Sequence, residues 1–201
     1  AFSLQDVLFM KVGLSGGIGC GKSTVLGFFR EAGWRTVDSD AVVRELLATD
    51  AEVQAQLRSR WGEAVFADGA VDRVAVAKRV FGHEGDLKWL EELLHPLVRK
   101  SWLASIDQAP DSNWLVEIPL LFEKRLENRF DLTVCVSSPP DVVADRMVVR
   151  AYTEAQIEQR RKQQMPLEEK IERADFLISN AGSLEFLKQQ TTRLIEQITA
   201  H

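Results

Sequence analysis

A chain of 201 residues with 45% apolar and 27% charged side chains has the make-up of an ordinary folded protein, and the length suits one compact domain with room for an inserted lobe. Its 25 basic and 30 acidic residues give a formal charge of −5, which argues against a nucleic acid or an anionic membrane as the main partner. No apolar run approaches the ~20 residues of a membrane-spanning helix, and the two cysteines, Cys20 and Cys135, suit a reducing, cytoplasmic setting rather than a disulfide scaffold.

The opening AFSLQDVLF lacks the basic start and long apolar core of a secretory signal, with Met10 or an earlier codon as the natural start. From there apolar runs alternate with helical patterns, the signature of βαβ units around a parallel sheet. Leu8 to Leu14 reads as the first strand, Lys22 to Ala32 as a helix capped by Gly33, and Trp34 to Val37 as a second strand ending in Asp38-Ser39-Asp40. Residues 41–109 show no convincing strand. VVRELL, VQAQLRSRW, VDRVAVAKRVF and the amphipathic run Leu87 to Ile106 read instead as helices inserted between strands, either a substrate-binding lobe or a cover for the sheet.

Pro110 to Asn113 has turn chemistry, and Trp114 to Ile118 follows as a strand closed by Pro119. Leu132 to Val136 is the next strand, and Asp141 to Arg150 the helix after it. Thr153 opens another helix with capping-box spacing. After Met165-Pro166 come the helical LEEKIERA, a last strand FLIS and a terminal helix from Leu184 to Ile198.

Gly16-Gly17-Ile18-Gly19-Cys20-Gly21-Lys22-Ser23 matches G-x-x-x-x-G-K-[ST] at every fixed position, after a strand and opening a helix. Glycines let successive backbone N–H groups face one cavity, and the following helix adds the positive end of its dipole. Lys22 can then reach the terminal phosphates of a nucleotide and the Ser23 hydroxyl can hold Mg²⁺. The segment Leu14-Ser15-Gly16-Gly17 also looks like the signature loop of transporter ATPases, but there that loop lies far downstream of the phosphate loop, so this match is discarded.

Asp38-Ser39-Asp40 ends the second strand on the same sheet edge as this loop, where ligands of open α/β sheets bind. A carboxylate there can accept a proton from an attacking hydroxyl or hold Mg²⁺ through water. The competing reading is the capping of the helix that follows. Glu117, near the end of the third main strand, is either a Walker B-type acid or an edge residue.

A third feature is five cations between residues 146 and 162, namely Arg146, Arg150, Arg160, Arg161 and Lys162, against Glu154 and Glu158. Planar guanidinium forks suit spreading phosphate charge, so the segment reads as a lid over a nucleotide, with a solvated helix face as the bland reading. His95-Pro96 lies within a long helical pattern that proline would kink. His83-Glu84 begins like a zinc-protease motif, but Leu87 stands where the second histidine belongs, so no zinc site is expected.

Taken together, GLSGGIGCGKSTV at 13–25, VDSDAVVREL at 37–46, LLHPLV at 93–98, IPLLFE at 118–123, QQMPLEEKIERAD at 163–175 and ISNAG at 178–182 resemble the dephospho-coenzyme A kinase family. The resemblance covers Lys11 to Ile198. It implies a three-layer α/β fold of the P-loop NTPase type, with a five-stranded parallel sheet, a core over 10–40 and 110–201, a helical acceptor-binding insertion over 41–109 and a helical lid near 146–165. The activity implied is transfer of the ATP γ-phosphoryl group to the ribose 3′-hydroxyl of dephospho-CoA, with Mg²⁺, by a monomer or small homo-oligomer.

By the same resemblance Asp40 is the general base, with Lys22 and Arg146 as catalytic partners and Asp38 supporting the base or metal. Gly17, Ile18, Gly19, Cys20, Gly21, Lys22, Ser23 and Thr24 bind ATP, with Arg150 from the lid and Asn180 at the adenine edge. Asp38, Arg44, His95 and Arg160 fall on the substrate side. The family commonly has an acid after the arginine at 150, where this chain has Ala151. Other kinases of the same fold acting on a nucleotide or small alcohol, and a nucleotide-dependent switch, are the alternatives. Against a switch, the chain has no N-K-x-D guanine-reading step.

Overall fold

The computed structural model describes residues 9–149, 157–158, 161–162 and 164–200. It divides into two units, one formed by residues up to Asp38 and from Gln108 onward, the other by Ser39–Asp107.

The first unit is built on a five-stranded parallel sheet. Its strands are β1 (Lys11–Gly16), β2 (Arg35–Asp38), β5 (Trp114–Glu117), β6 (Leu132–Ser137) and β7 (Phe176–Ser179), in the order β2-β5-β1-β6-β7. β1 lies at the centre, buried from Val12 to Gly16, and β5 is buried along its whole length. Burial on both faces is what a parallel strand in the middle of a layered sheet requires, and only Ser15 and Glu117 interrupt the apolar and glycine residues of these buried stretches. β1, β2 and β6 run one to two residues further than the sequence pattern suggests, because Gly16, Asp38 and Ser137 still pair with their neighbours.

Residues in register share a face. On one face Val12, Leu14, Leu115, Val134, Val136 and Ile178 pack with helices α1 (Lys22–Glu31), α6 (Pro140–Val149) and α8 (Leu184–Thr199) through Val25, Phe29, Met147, Leu187 and Leu194. On the other face a Cβ at Gly13 would stand 2.9 Å from the Phe130 ring and 3.2 Å from Leu121, so glycine there lets those side chains close over the strand. Helix α7 (Leu167–Arg173) follows in the chain. Asp175 ties its end to β6, accepting from both the backbone N–H and the hydroxyl of Thr133, at 2.7 and 2.8 Å.

The second unit holds α2 (Ser39–Thr49), α3 (Ala51–Trp61), α4 (Arg73–Val80) and α5 (Glu84–Gln108). Asp50 and Asp72 cap α3 and α4, their carboxylates accepting first-turn N–H groups at 2.8–3.2 Å. Leu47, Val53, Leu57, Trp61, Val76 and Leu94 form its core, with Trp61 edge-on to Trp89 at 5.0 Å. One expectation fails here, since the segment thought to lack strands contains a short hairpin, β3 (Phe66–Ala67) with β4 (Ala70–Val71). Asp68 and Gly69 both take positive φ, 50° and 81°, the conformation of a tight Asp-Gly hairpin turn. The runs beside that turn are two residues long, too short to show alternation. Helix α5 is one element across Pro96, and no described helix is long and apolar enough to cross a membrane.

Candidate active site

All five strands of the sheet run the same way, so Gly16, Asp38, Glu117, Ser137 and Ser179 end at one edge. The loop between β1 and α1 rises from the centre of that edge. Two glycines show why the motif needs them. At Gly16 (φ 148°) a Cβ would lie 2.2 Å from the Val136 carbonyl oxygen, so the strand end presses directly on β6. Gly21 caps α1 in the left-handed region (φ 96°), and a Cβ there would lie 2.2 Å from Asn180 Nδ2.

Lys22, Ser23 and Thr24 form the first turn of α1, where the helix dipole favours an anion, although the Thr24 N–H already bonds the Gly21 carbonyl at 3.0 Å. The Lys22 ammonium folds back on the loop and donates to the carbonyls of Gly17 (3.0 Å) and Gly16 (3.4 Å). Ser23 is exposed at the second helical position, and Ile18 and Gly17 are half-buried beside it. The Cys20 side chain is buried beneath the loop, while Cys135 lies in β6, where burial pushes its thiol up to about 11.

Behind the loop a buried polar network joins three chain segments. Asn180 donates from Nδ2 to the Cys20 carbonyl (2.9 Å), and its backbone N–H reaches the Ser137 carbonyl (2.8 Å). Arg146, from α6, donates to Ser138 Oγ (2.9 Å) and Asn180 Oδ1 (3.1 Å), with a longer reach of 3.4 Å to the Gly19 carbonyl. Ser138 Oγ in turn donates to the Asn180 carbonyl at 2.9 Å. Arg146 and Asn180 thus brace the loop backbone from outside, a role their spacing in sequence does not disclose.

On the other side of β1, Asp38 and Glu117 are in register on neighbouring strands, and Glu117 is also in register with Leu14. The two carboxylates therefore share one sheet face at the strand ends, with Glu117 buried and Asp38 half-buried. Glu117 was legible only as an acid near a strand end, and the register makes it Asp38's neighbour.

The opposite sheet face carries a buried cation that sequence reading missed. Lys170 of α7 is fully buried, and its ammonium donates to Glu123 Oε1 and to the Pro119 carbonyl, both at 2.9 Å. Burial lowers its pKa, and the Glu123 carboxylate opposes that shift. In sequence, Lys170 and Glu123 sit among charged neighbours as ordinary surface residues would, and only the fold joins them.

Asp40 and Arg44 lie on exposed positions of α2, Asp40 in its first turn, and His95 is half-buried on α5. Arg150, Arg160 and Thr153, the start of the next expected helix, lie outside the described residues. Among the described residues no group of three or more His, Cys, Asp or Glu side chains could hold a metal. The Ser23 hydroxyl and the carboxylates of Asp38 and Glu117 are hard oxygen donors, the kind Mg²⁺ takes, an ion that keeps several waters and shares substrate phosphates rather than needing a protein cage.

The family profile of dephospho-CoA kinase matches residues 10–185. The dephospho-CoA kinase of Aquifex aeolicus is 34% identical over 191 residues, covering 94% of this chain and 97% of the relative. That of Shewanella oneidensis is 36% identical over 185 residues, covering 91% and 90%. A solved protein of Thermus thermophilus superposes with a TM-score of 0.78 at 34% identity, over 94% of this chain and 98% of the other. A shikimate kinase of Acinetobacter baumannii, at 13% identity and a TM-score of 0.52 over 96% of this chain and 95% of the other, shares the fold alone. With a phosphate loop braced at the carboxyl edge of a five-stranded parallel sheet, and relatives matched along nearly its whole length, the chain belongs to the dephospho-CoA kinase family.

Proposed function

We propose that the protein transfers the γ-phosphoryl group of ATP to the ribose 3′-hydroxyl of dephospho-CoA, giving coenzyme A. The observation that carries this reading is the glycine loop and α1 N-terminus at the edge where Asp38 and Glu117 also end, in a chain of this family. Loop N–H groups and Lys22 hold the β- and γ-phosphates, and Lys22 exchanges its two carbonyl contacts for phosphate oxygens. Asp40 takes the proton of the acceptor hydroxyl as that oxygen attacks phosphorus in line and the bond to the ADP oxygen breaks. Its support is chain order, two residues beyond Asp38, together with the family motif at 37–46.

Ser23 would hold Mg²⁺ directly, with Asp38 and Glu117 accepting from its waters. The ion supplies charge neutralisation on the transferring phosphates. Arg146 keeps the Gly19–Cys20 backbone in place through Ser138 and Asn180, and Asn180 stands next to Gly21 at the nucleotide side of the loop. Arg44, His95 and Arg160 are assigned to the acceptor, and Arg150 to the nucleotide phosphates, on the family motifs. Cys20 and Cys135, both free and buried, accord with a reducing, cytoplasmic setting.

The test is ADP release from ATP with and without dephospho-CoA, with Mg²⁺ or with excess EDTA, following the acceptor by mass. Gain of one phosphoryl group that needs both dephospho-CoA and Mg²⁺ is the expected result. ADP release without acceptor phosphorylation would leave an ATPase or switch. Activity only on other nucleotides would discard the acceptor while keeping the chemistry.

A further inference from the structure

A lysine with no exposed surface is uncommon, because the ammonium loses its hydration. Lys170 meets that loss with two acceptors at 2.9 Å, Glu123 Oε1 and the Pro119 carbonyl. Both acceptors matter to the strand end beside it. Pro119 stands two residues beyond β5, and its carbonyl also accepts from Ser15 Oγ at 3.3 Å. Ser15 is the penultimate residue of β1, next to Gly16, where the strand ends and the phosphate loop begins. Glu123 Oε1 holds a second donor, the Met165 backbone N–H at 2.8 Å, just before α7 begins. The other oxygen of Glu123 is buried and has no hydrogen-bond partner among the described residues. Leu167, one turn before Lys170 on α7, comes to 3.8 Å of the place a Cβ on Gly17 would occupy. The same helix therefore packs on the loop and inserts a cation beneath its origin. The positive charge of Lys22 lies close enough to add to the lowering of the Lys170 pKa that burial causes.

We propose that Lys170 and Glu123 are positioning residues for phosphoryl transfer, holding the Pro119 carbonyl, Ser15 and the origin of the phosphate loop in their reactive arrangement. The proposal rests on the kinase reading above. Fold stability alone does not account for the pair, since apolar side chains of similar volume commonly match or exceed a buried ion pair in stability. Apolar side chains cannot bond the Pro119 carbonyl or keep positive charge below the loop. Nucleotide affinity resides in the loop N–H groups and Lys22, none of which the pair touches. Where those groups sit relative to the reacting oxygens depends on the strand end that the pair holds, and small misplacements there cost rate more than affinity.

The experiment compares the whole enzyme with Lys170→Met, Glu123→Gln, the double variant Lys170→Met/Glu123→Gln, and Lys170→Arg. Each is measured for melting temperature, ADP affinity, kcat and the KM for ATP. The single Lys170→Met variant strands a buried carboxylate and melts lower. The double variant removes both charges, so its melting temperature returns close to that of the wild type. Its kcat should nonetheless fall by about tenfold or more while the Kd for ADP stays within about threefold. Lys170→Arg, which keeps a donor for both acceptors, should recover most of the lost kcat. A double variant with wild-type kcat, or a kcat loss that follows melting temperature through the series, would overturn the proposal alone. A wild-type protein that fails to phosphorylate dephospho-CoA would overturn the kinase reading and this proposal with it.

Discussion

Substituting Gly21 by alanine tests the contact that fixes the phosphate loop. The new Cβ would lie 2.2 Å from Asn180 Nδ2, against 3.9 Å from Arg146 Nη1, so the asparagine is the obstacle and the arginine is in ordinary contact. Asn180 cannot swing away freely. Its amide is held by the Cys20 carbonyl at 2.9 Å on one end and by Arg146 at 3.1 Å on the other. The left-handed backbone at φ 96° adds a cost of ~1–2 kcal/mol for any L side chain, and forcing an extra carbon into a packed site adds ~1–3 kcal/mol. The expected loss of unfolding free energy for Gly21→Ala is therefore about 2–5 kcal/mol. In an Asn180→Ala background the obstacle is gone, and the same substitution should cost only the backbone term of ~1–2 kcal/mol. Urea unfolding of the wild type, both single variants and the double variant yields the coupling between the two sites, expected at ~1–3 kcal/mol. Equal losses in both backgrounds would refute the reasoning and leave the backbone conformation as the sole reason for glycine.

Two further predictions follow from the chemistry assigned to single groups. Asp40→Asn keeps size and removes the base, so nucleotide affinity should stay within about threefold while turnover falls by roughly 10²–10⁴. Steady-state kinetics beside ADP binding check this, and unchanged turnover removes Asp40 as the base. Cys135 is held protonated by burial, its pKa raised to about 11. Because the folded state keeps that proton longer than the unfolded chain does, its contribution is complete below the ordinary thiol value near 9.0 and is lost as pH rises toward 11. Iodoacetamide at pH 8 should therefore leave Cys135 unmodified in the native protein and label it in urea, as peptide mass mapping would show. Rapid native labelling would contradict its burial.

The sequence by itself determined the alternation of strands and helices, the parallel sheet and the glycine loop, because each is written in local periodicity and in residue types with few substitutes. The first strand is legible over Leu8 to Leu14, though the ladder occupies Lys11–Gly16, and Gly21-Lys22-Ser23 is legible as a phosphate site from spacing alone. Strand ends shifted by one or two residues, since pairing partners rather than local pattern decide where a ladder stops. The Phe66–Val71 hairpin went unread because two-residue strands carry no period, although its Asp-Gly turn was in plain view.

Only the tertiary structure decided which distant residues meet. Arg146 and Asn180 lie 34 positions apart and share a hydrogen bond, and each reaches back more than 120 positions to the loop. Asp38 and Glu117 become neighbours through strand register, and Lys170 finds Glu123 and Pro119 only once α7 closes over the sheet. A lysine on a charged helix reads as solvated because sequence records its polarity. Burial depends on which neighbours arrive, and the acceptors that make it tolerable lie about fifty residues away along the chain.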